Sequence, residues 1–196
     1  MKRRWRLAVP APTPGRHRGA TLAELAIVLG ISAMVLALAA PDLHGLVSAQ
    51  QMRTASAELL DAIGHARAQA IARGRLVKLM PRDSPGADWT QGWTMFVDRD
   101  GDGEPGPDDE ILSVHAPLPS GMQVDFSFTG SAPPHYIAYN GAGRSCSDSN
   151  GNSARLGTLS LFHGAQVRRI KINMLGRVRL CNPARDQGCE GAQAPD

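Results

Sequence analysis

Residues 19–41 read GATLAELAIVLGISAMVLALAAP, and within residues 20–40 the only charged side chain is that of Glu24. A helix of this length spans about 30 Å, which is enough to cross the hydrocarbon core of a bilayer. Basic residues precede the stretch and none follows it at once, so the positive-inside rule places its N-terminus in the cytoplasm. We therefore expect a single-pass membrane protein with a transmembrane helix at residues 20–41.

Glu24 does not fit two simpler explanations of this segment. A secretory signal would have a cleavage site of small residues after the apolar run and no acid near its start. A simple signal anchor leaves the carboxylate without a purpose, although an acid in lipid is costly and usually marks function. We therefore expect Glu24 to have a partner within the membrane.

The hexapeptide GATLAE at residues 19–24 resembles the leader motif of type IV pilins. The resemblance implies that a prepilin peptidase cuts between Gly19 and Ala20 and that Ala20 is then N-methylated. It also implies that Glu24 pairs with the N-terminal amine of a neighbouring pilin subunit during assembly. Pro41 matches a proline of the family and should kink the helix, since proline removes a helical hydrogen bond. One departure is Ala20 itself, because the family usually has Phe after the cut.

The same resemblance implies a location. Residues 1–19 are then a leader that is removed, and the mature chain is an inner-membrane protein whose C-terminal domain lies in the periplasm. It would be assembled with other pilin subunits into a pilus or pseudopilus.

The net charge changes sign when the leader is left out. The whole chain has 21 basic and 18 acidic residues, a net charge of +3. The first 19 residues contain six basic residues and no acid, so residues 20–196 have 15 basic against 18 acidic side chains, a net charge of −3. Overall basicity is therefore no argument for a nucleic-acid partner, and only local patches can supply one.

The remainder of the sequence predicts a helix followed by strands. Residues 42–74 carry an apolar stripe at helical spacing that should pack on a sheet, and Gly74 is a natural helix stop. The stripe consists of Leu43, Val47, Met52, Ala55, Leu59, Ile63, Ala66 and Ala70. Apolar or alternating runs between turn residues then predict strands at 75–80, 92–98, 110–114, 123–128, 136–140, 158–162, 168–173 and 177–180. We therefore expect an α+β fold with an antiparallel sheet, a globular domain over 75–181 and a loose C-terminal tail at 182–196.

Three further stretches of the sequence make the resemblance to pilins more specific. They are ARAQAIARGR at 66–75, GWTMFVDRDGDGEPGPDDEIL at 92–112 and GRVR at 176–179. Together they resemble the GspH/FimT family of minor pilins and pseudopilins, over residues 20 to about 181. The resemblance implies the type IV pilin fold, in which a long N-terminal helix packs on an antiparallel β-sheet.

The basic residues near the C-terminus form the candidate binding site. Alternate residues of a strand share a face, so Arg177 and Arg179 point the same way. Arg169 and Lys171 likewise share a face of the preceding strand, with Arg168 opposite. A hairpin through residues 174–176 would bring four cations together, and such a patch suits the phosphate backbone of double-stranded DNA without sequence preference.

Alternatives to DNA binding remain open at this point. Cations on an edge strand also block aggregation. Gly176, Arg177 and Arg179 match the GRxR motif of FimT-like minor pilins, and this resemblance implies DNA binding and DNA uptake in natural transformation. A GRVR strand also occurs in some GspH-like pseudopilins of type II secretion systems, which implies a purely structural role at the pseudopilus tip. A third possibility is a minor pilin that only primes pilus assembly.

The aspartate-rich stretch has the spacing of the first half of a calcium loop. Asp98, Asp100 and Asp102 are followed by Gly103 at the sixth position. The second half does not match, because the twelfth position is Asp109 and Glu110 comes one residue late. We expect a solvated turn, with calcium as a weak candidate and no other metal.

Cys146, Cys181 and Cys189 predict one disulfide and one free thiol in an exported domain. A Cys181–Cys189 bridge would close a small loop, and Cys146–Cys181 is its main rival; spacing does not decide between them. The histidines are scattered, and no hydrolase, zincin or phosphate-loop motif is present. We expect no enzymatic activity, no cofactor and no small-molecule substrate.

Overall fold

The computed structural model of the chain describes residues 19–83, 85–130 and 132–193, and within these the side chains of residues 38–43 are left out. Most of the leader, residues 1–18, lies outside the described residues. The chain divides into two compact units, one ending at Leu43 and one extending from His44 to Asp196. Helix α1, which runs from Leu22 to Arg73, contributes residues to both.

The first unit contains the start of α1. The hydroxyl of Thr21 accepts the backbone N–H of Glu24 at 3.3 Å and so caps the first turn of the helix. The apolar side chains of the described part of this unit, among them Leu25, Ile27 and Ile31, are exposed. Pro41 lies within α1, but its side chain is outside those described, so the kink stays a prediction.

No helix in the described part of the chain is both long enough and apolar enough to cross a membrane. The transmembrane segment expected at residues 20–41 therefore stays a prediction.

The described residues of the second unit form eight antiparallel strands in two four-stranded sheets. The first sheet has the order β3-β2-β1-β5 and the second the order β4-β6-β7-β8. The strands are β1 Val77–Pro81, β2 Trp93–Val97, β3 Glu110–Val114, β4 Met122–Phe128, β5 Ile137–Tyr139, β6 Gly157–His163, β7 Gln166–Ile172 and β8 Val178–Cys181. The α+β class is confirmed, but two sheets replace the one expected, because β5 pairs with β1 while β4 pairs with β6.

One hydrophobic core joins α1 to both sheets. It contains Leu59 and Ile63 of the helix, Leu79 of the first sheet, and Leu159 and Ile170 of the second. Each large side chain buried in this way stabilises the fold by about 1.5–3 kcal/mol. Six members of the expected helical stripe are buried in this core: Met52, Ala55, Leu59, Ile63, Ala66 and Ala70.

The stripe begins later than expected. Val47 is exposed, and the side chain of Leu43 is outside those described. The buried face of α1 therefore starts at Met52.

A buried lysine ties the first sheet to two long loops. The ammonium of Lys78 on β1 has no exposed surface, and it lies 2.9 Å from Oδ2 of Asp148. It also donates to the carbonyl oxygen of Gly103, in the loop between β2 and β3. Tyr136 donates its hydroxyl to Oδ1 of Asp148 at 2.7 Å, and Lys78 Nζ lies 4.7 Å from the centre of the Tyr136 ring. The acidic loop and the loop after β5 are thereby held together by one cation.

Asp148 is kept ionised by these contacts. Partial burial opposes ionisation, but the hydrogen bonds from Tyr136 and Lys78 outweigh it and hold the pKa of Asp148 below its ordinary value of 3.8.

We expect Asp148→Ala to lower the free energy of unfolding by about 3 kcal/mol, because it leaves the buried Lys78 ammonium without its counter-charge. Lys78→Met should cost less, since water reaches the remaining carboxylate. Urea denaturation of both variants, of the double variant and of wild type measures the coupling. The exposed acid Asp61 is the matched control, and Asp61→Ala should change stability by no more than about 0.5 kcal/mol. Equal losses for Asp148→Ala and Asp61→Ala would contradict the role assigned to the ion pair.

The stabilisation from Asp148 should also depend on pH in a defined direction. A carboxyl group with a depressed pKa stabilises the fold above its unfolded pKa, and that stabilisation is lost as the pH falls through the folded value. The difference in unfolding free energy between wild type and Asp148→Ala should therefore be constant from pH 7 to about pH 5 and shrink only below about pH 4. Denaturant titrations at a series of pH values measure it, and a difference that shrinks above pH 5 would contradict the assignment.

Candidate nucleic-acid interface

The candidate basic strand forms a hairpin with the strand before it. β7 and β8 pair so that Lys171 lies opposite Arg179 and Arg169 lies opposite Cys181. The connecting turn is organised by Asn173, whose side-chain oxygen accepts the N–H groups of Leu175 at 3.0 Å and Arg177 at 2.9 Å. The hairpin through residues 174–176 is therefore present, and it brings the GRVR segment beside β7.

Gly176 lets this turn approach the first sheet. Its φ of +74° is in the left-handed region that favours glycine. A Cβ atom there would lie 2.4 Å from the carbonyl oxygen of Gly143 and 2.8 Å from Cε1 of Tyr139. The Tyr139 hydroxyl donates to the Gly176 carbonyl at 3.3 Å, and burial raises the pKa of Tyr139 well above its usual range, so this donor stays protonated. Gly176 therefore fixes the position of the turn that directly precedes Arg177 and Arg179.

The helix also holds the turn. Arg67 of α1 donates to the carbonyl oxygen of Leu175 at 3.3 Å. The turn is thus supported from α1 and from β5 at the same time, which fixes the start of β8 relative to the core.

Three of the candidate cations surround one open groove. Lys171, Arg177 and Arg179 line a cavity of about 600 Å³ together with Thr158 of β6 and Asn173 of the turn. Arg177 and Arg179 are exposed, and Lys171 is half-buried with its ammonium 3.1 Å from the carbonyl oxygen of Gly188. Among the residues that the structure describes, no carboxylate forms an ion pair with these three side chains. The groove is positive and open to an anionic partner.

Arg169 is not part of this groove. It is only 9% exposed, and its guanidinium donates to the carbonyl oxygens of Cys189 and Ala192. The side chain lies on the same face of β7 as Lys171, as the alternation predicted. However, the C-terminal segment folds over that face, and its carbonyl oxygens accept hydrogen bonds from both terminal nitrogens of the Arg169 guanidinium. The four-cation cluster expected from the sequence is therefore reduced to three.

The segment after β8 is fixed rather than loose over residues 182–193. Cys181 and Cys189 form a disulfide with a Cα–Cα distance of 5.9 Å, while Cys146 is free and buried. Burial raises the pKa of the Cys146 thiol to about 11, and the nearby Asp148 carboxylate contributes to the rise. The Asp186 carboxylate accepts the N–H of Asn182 at 2.7 Å and closes the small loop. The sequence showed no periodic pattern in this tail, so these carbonyl contacts could not be foreseen.

Arg168 lies on the opposite face of β7, as predicted. It borders a separate cavity with Arg185 of the disulfide loop. Sequence reasoning did not assign Arg185 to a site. The sequence feature that could have pointed to Arg185 was its position between Cys181 and Cys189.

The aspartate-rich loop brings its three candidate ligands together. One oxygen of each of Asp98, Asp100 and Asp102 lies within 4.8 Å of the others. The two oxygens of Asp98 accept the N–H groups of Gly101 and Gly103, so the carboxylate already shapes the loop. A calcium ion at these residues stays a prediction.

Glu110, the acid that would complete a calcium loop one position late, is engaged elsewhere. Its two oxygens pair with Arg99 at 2.5 Å and Arg73 at 2.7 Å. The hydrogen bond from Arg99, followed by the charge of Arg73, lowers the pKa of this carboxyl group. Glu110 therefore joins the acidic loop to the end of α1.

The N-terminal candidates occupy the start of the described chain. Gly19 and Ala20 precede α1, and Glu24 is in its first turn; all three are exposed. Cleavage, methylation and assembly at these positions stay predictions.

We compared the chain with known protein families and curated protein sequences. A family model described as "Type II transport protein GspH" matches residues 55–176. No curated protein sequence matches the chain significantly.

The chain is also similar to solved structures of pilins. Two crystal forms of the type IV minor pilin FimU from Pseudomonas aeruginosa are 17% identical to it, with TM-scores of 0.51 and 0.52. The matches cover 70% of this chain and 94% and 99% of FimU. The minor pseudopilin EpsH from the type 2 secretion system of Vibrio cholerae is also 17% identical, over 68% of this chain and 98% of EpsH, with a TM-score of 0.47.

The likeness to FimU shows a shared fold, so the type IV pilin fold expected from the sequence is confirmed. The GspH model covers more than half of the chain and ends at Gly176, just before the two arginines of the groove. The chain belongs to the GspH family of type IV pilin-like proteins.

Proposed function

We propose that this chain is a FimT-like minor pilin of a type IV pilus that binds double-stranded DNA without sequence preference and contributes to DNA uptake in natural transformation. The observation that carries the proposal is the groove of Lys171, Arg177 and Arg179, in which three cations converge without a paired carboxylate in the described chain.

The chemistry of the groove suits a phosphate backbone. Guanidinium groups present planar sets of donors that match phosphate oxygens, and they keep their charge at any physiological pH. Arg177 and Arg179 are exposed, so contact with a large ligand requires no rearrangement of the fold. Contacts of this kind give affinity that falls steeply with salt and carries no sequence information.

The lining of the groove favours a duplex over a single strand. Its nine residues include no aromatic side chain: Leu156, Gly157, Thr158, Lys171, Ile172, Asn173, Arg177, Val178 and Arg179. Proteins that bind single strands without sequence preference generally stack bases on aromatic rings, and this groove offers none. Its cations are instead suited to the outward phosphates of a double helix.

The N-terminal segment supplies the filament part of the proposal. Prepilin peptidase would cut between Gly19 and Ala20, Ala20 would be methylated, and Glu24 would pair with the amine of a neighbouring subunit. The exposed apolar side chains of the first unit would face lipid in the inner membrane before assembly and other pilin subunits afterwards. The globular unit would then lie in the periplasm, where a disulfide such as Cys181–Cys189 is stable. No enzymatic role is proposed.

A GspH-like pseudopilin at the tip of a type II secretion pseudopilus is the second candidate. The description of the matching family model, a type II transport protein, favours it. In that role the cations of the groove would only protect the edge strand β8 from aggregation. The two candidates differ in whether the groove binds DNA.

We expect Arg177→Ala/Arg179→Ala to weaken DNA binding by more than tenfold at low salt and to reduce the slope of log affinity against log salt by about 2. Both side chains are exposed, so the fold should be unaffected. The measurement is fluorescence anisotropy of a 30-base-pair duplex with the full chain in a non-ionic detergent, between about 50 and 200 mM salt.

The control for charge is Arg75→Ala/Arg82→Ala, which removes two exposed cations elsewhere on the second unit. It should leave both the affinity and the salt slope nearly unchanged. If the wild type does not bind DNA at about 50 mM salt, or if the two double variants behave alike, the DNA-uptake proposal fails and the pseudopilin is preferred.

Gly176→Ala should impair both stability and DNA binding. An added Cβ atom meets the carbonyl oxygen of Gly143 and the ring of Tyr139, so the turn must move and carry Arg177 with it. The matched control is Gly164→Ala in the β6–β7 turn, where φ is also positive, at +55°, but nothing lies within 4 Å of a Cβ atom. Gly164→Ala should cost about 1–2 kcal/mol from backbone strain alone. Urea denaturation and anisotropy compare the two, and equal effects on both readouts would refute the role of the close approach.

A further inference from the structure

A second group of cations lies on the other face of the β7–β8 hairpin. It consists of Arg168 of β7, Arg185 of the disulfide loop and Arg53 of helix α1, and the charges of Arg185 and Arg53 both act on Arg168. Arg168 and Arg185 border a cavity of about 270 Å³ with Asn182 and Asp186. Arg53 and Arg185 are exposed, whereas Arg168 is half-buried.

None of these three arginines forms a close ion pair with a carboxylate of the described residues. The acid at the cavity, Asp186, uses one carboxylate oxygen to accept the N–H of Asn182. One N–H of Arg168 is donated to the carbonyl oxygen of Val167 at 2.7 Å, which orients its guanidinium. The cavity therefore has an excess of positive charge around a partly buried donor.

The proximity of the three charges affects the titration of Arg168. Burial lowers the pKa of its guanidinium, and the charges of Arg185 and Arg53 lower it further, while Asp186 opposes the change. Like charges that lie close together repel, and a bound anion would relieve the repulsion.

The sequence brings these residues together through three separate elements. Strand alternation turns Arg168 away from Lys171. The Cys181–Cys189 bridge closes the loop that carries Arg185. Arg53 follows Met52, the first buried residue of the helical stripe, and so lies at the border of the core. No motif in the sequence links the three positions.

We propose that Arg53, Arg168 and Arg185 form a second anion site that binds a phosphate group, and that in the DNA complex this group is a backbone phosphate of the duplex. The DNA part of this inference rests on the proposed function. β8 is the edge strand of its sheet, with the groove of Lys171, Arg177 and Arg179 on one side of the hairpin and the second site on the other. A duplex lying against this edge can contact both.

The first test uses inorganic phosphate and does not depend on DNA binding. Thermal unfolding of the full chain in detergent is measured in sodium phosphate and in sodium chloride of equal ionic strength. Wild type should gain about 2–4 °C in phosphate over chloride. Arg53→Ala/Arg185→Ala should lose this gain, and the control Arg75→Ala/Arg82→Ala should keep it. No phosphate-specific gain in wild type, or an equal gain in both double variants, would overturn the site.

The second test uses the duplex. Arg53→Ala/Arg185→Ala should weaken DNA binding about five- to tenfold and reduce the salt slope by about 1–2. Its effect should add to that of Arg177→Ala/Arg179→Ala, since the two sites lie on opposite faces.

The two tests separate the proposals. A phosphate-specific gain without DNA binding by wild type would overturn the proposed function and leave the anion site standing. DNA binding that depends on Arg177 and Arg179 but not on Arg53 and Arg185 would overturn the second site as a DNA contact and leave the proposed function standing.

Discussion

The burial of one face of helix α1 is the constraint on which the rest of the globular unit depends. Both four-stranded sheets contribute to one hydrophobic core, which also contains the buried helix residues between Met52 and Ala70. Ala66 and Ala70 at the end of this face are small, so the backbone of the helix can lie close to the strands. The outward faces and edges of the sheets are then determined, and with them the positions at which charged side chains reach water.

Polar contacts hold several of the loops and the C-terminal segment. Lys78 joins the acidic loop and the loop after β5 to the first sheet, while the disulfide and Arg169 hold the C-terminal segment on the second. Lys78 and Arg169 both donate to backbone carbonyl oxygens, and a buried cation is tolerated only when such partners are in place. The turn that carries GRVR is supported in the same manner, by Tyr139 and Arg67.

This arrangement separates the charges of the molecule. Acids concentrate in the loop between β2 and β3, where Asp98 shapes the loop and Glu110 pairs with arginines. The cations around β7 and β8 have no such pairing among the described residues, so their charge remains available to an external anion. The two proposed functions differ in whether this unpaired charge binds DNA.

The sequence by itself predicted the helix and most of the strands, because these follow from local periodicity, and its resemblance to a known family implied the pilin fold. It also identified GRVR and the side of each strand on which its cations lie, since alternation is a property of the strand alone. The division into two sheets, the burial of Arg169 and the approach of Arg185 to Arg168 were decided only by the tertiary structure. These depend on which strands pair and where a tail without periodicity folds back, and contacts between residues distant in sequence leave no local pattern to read.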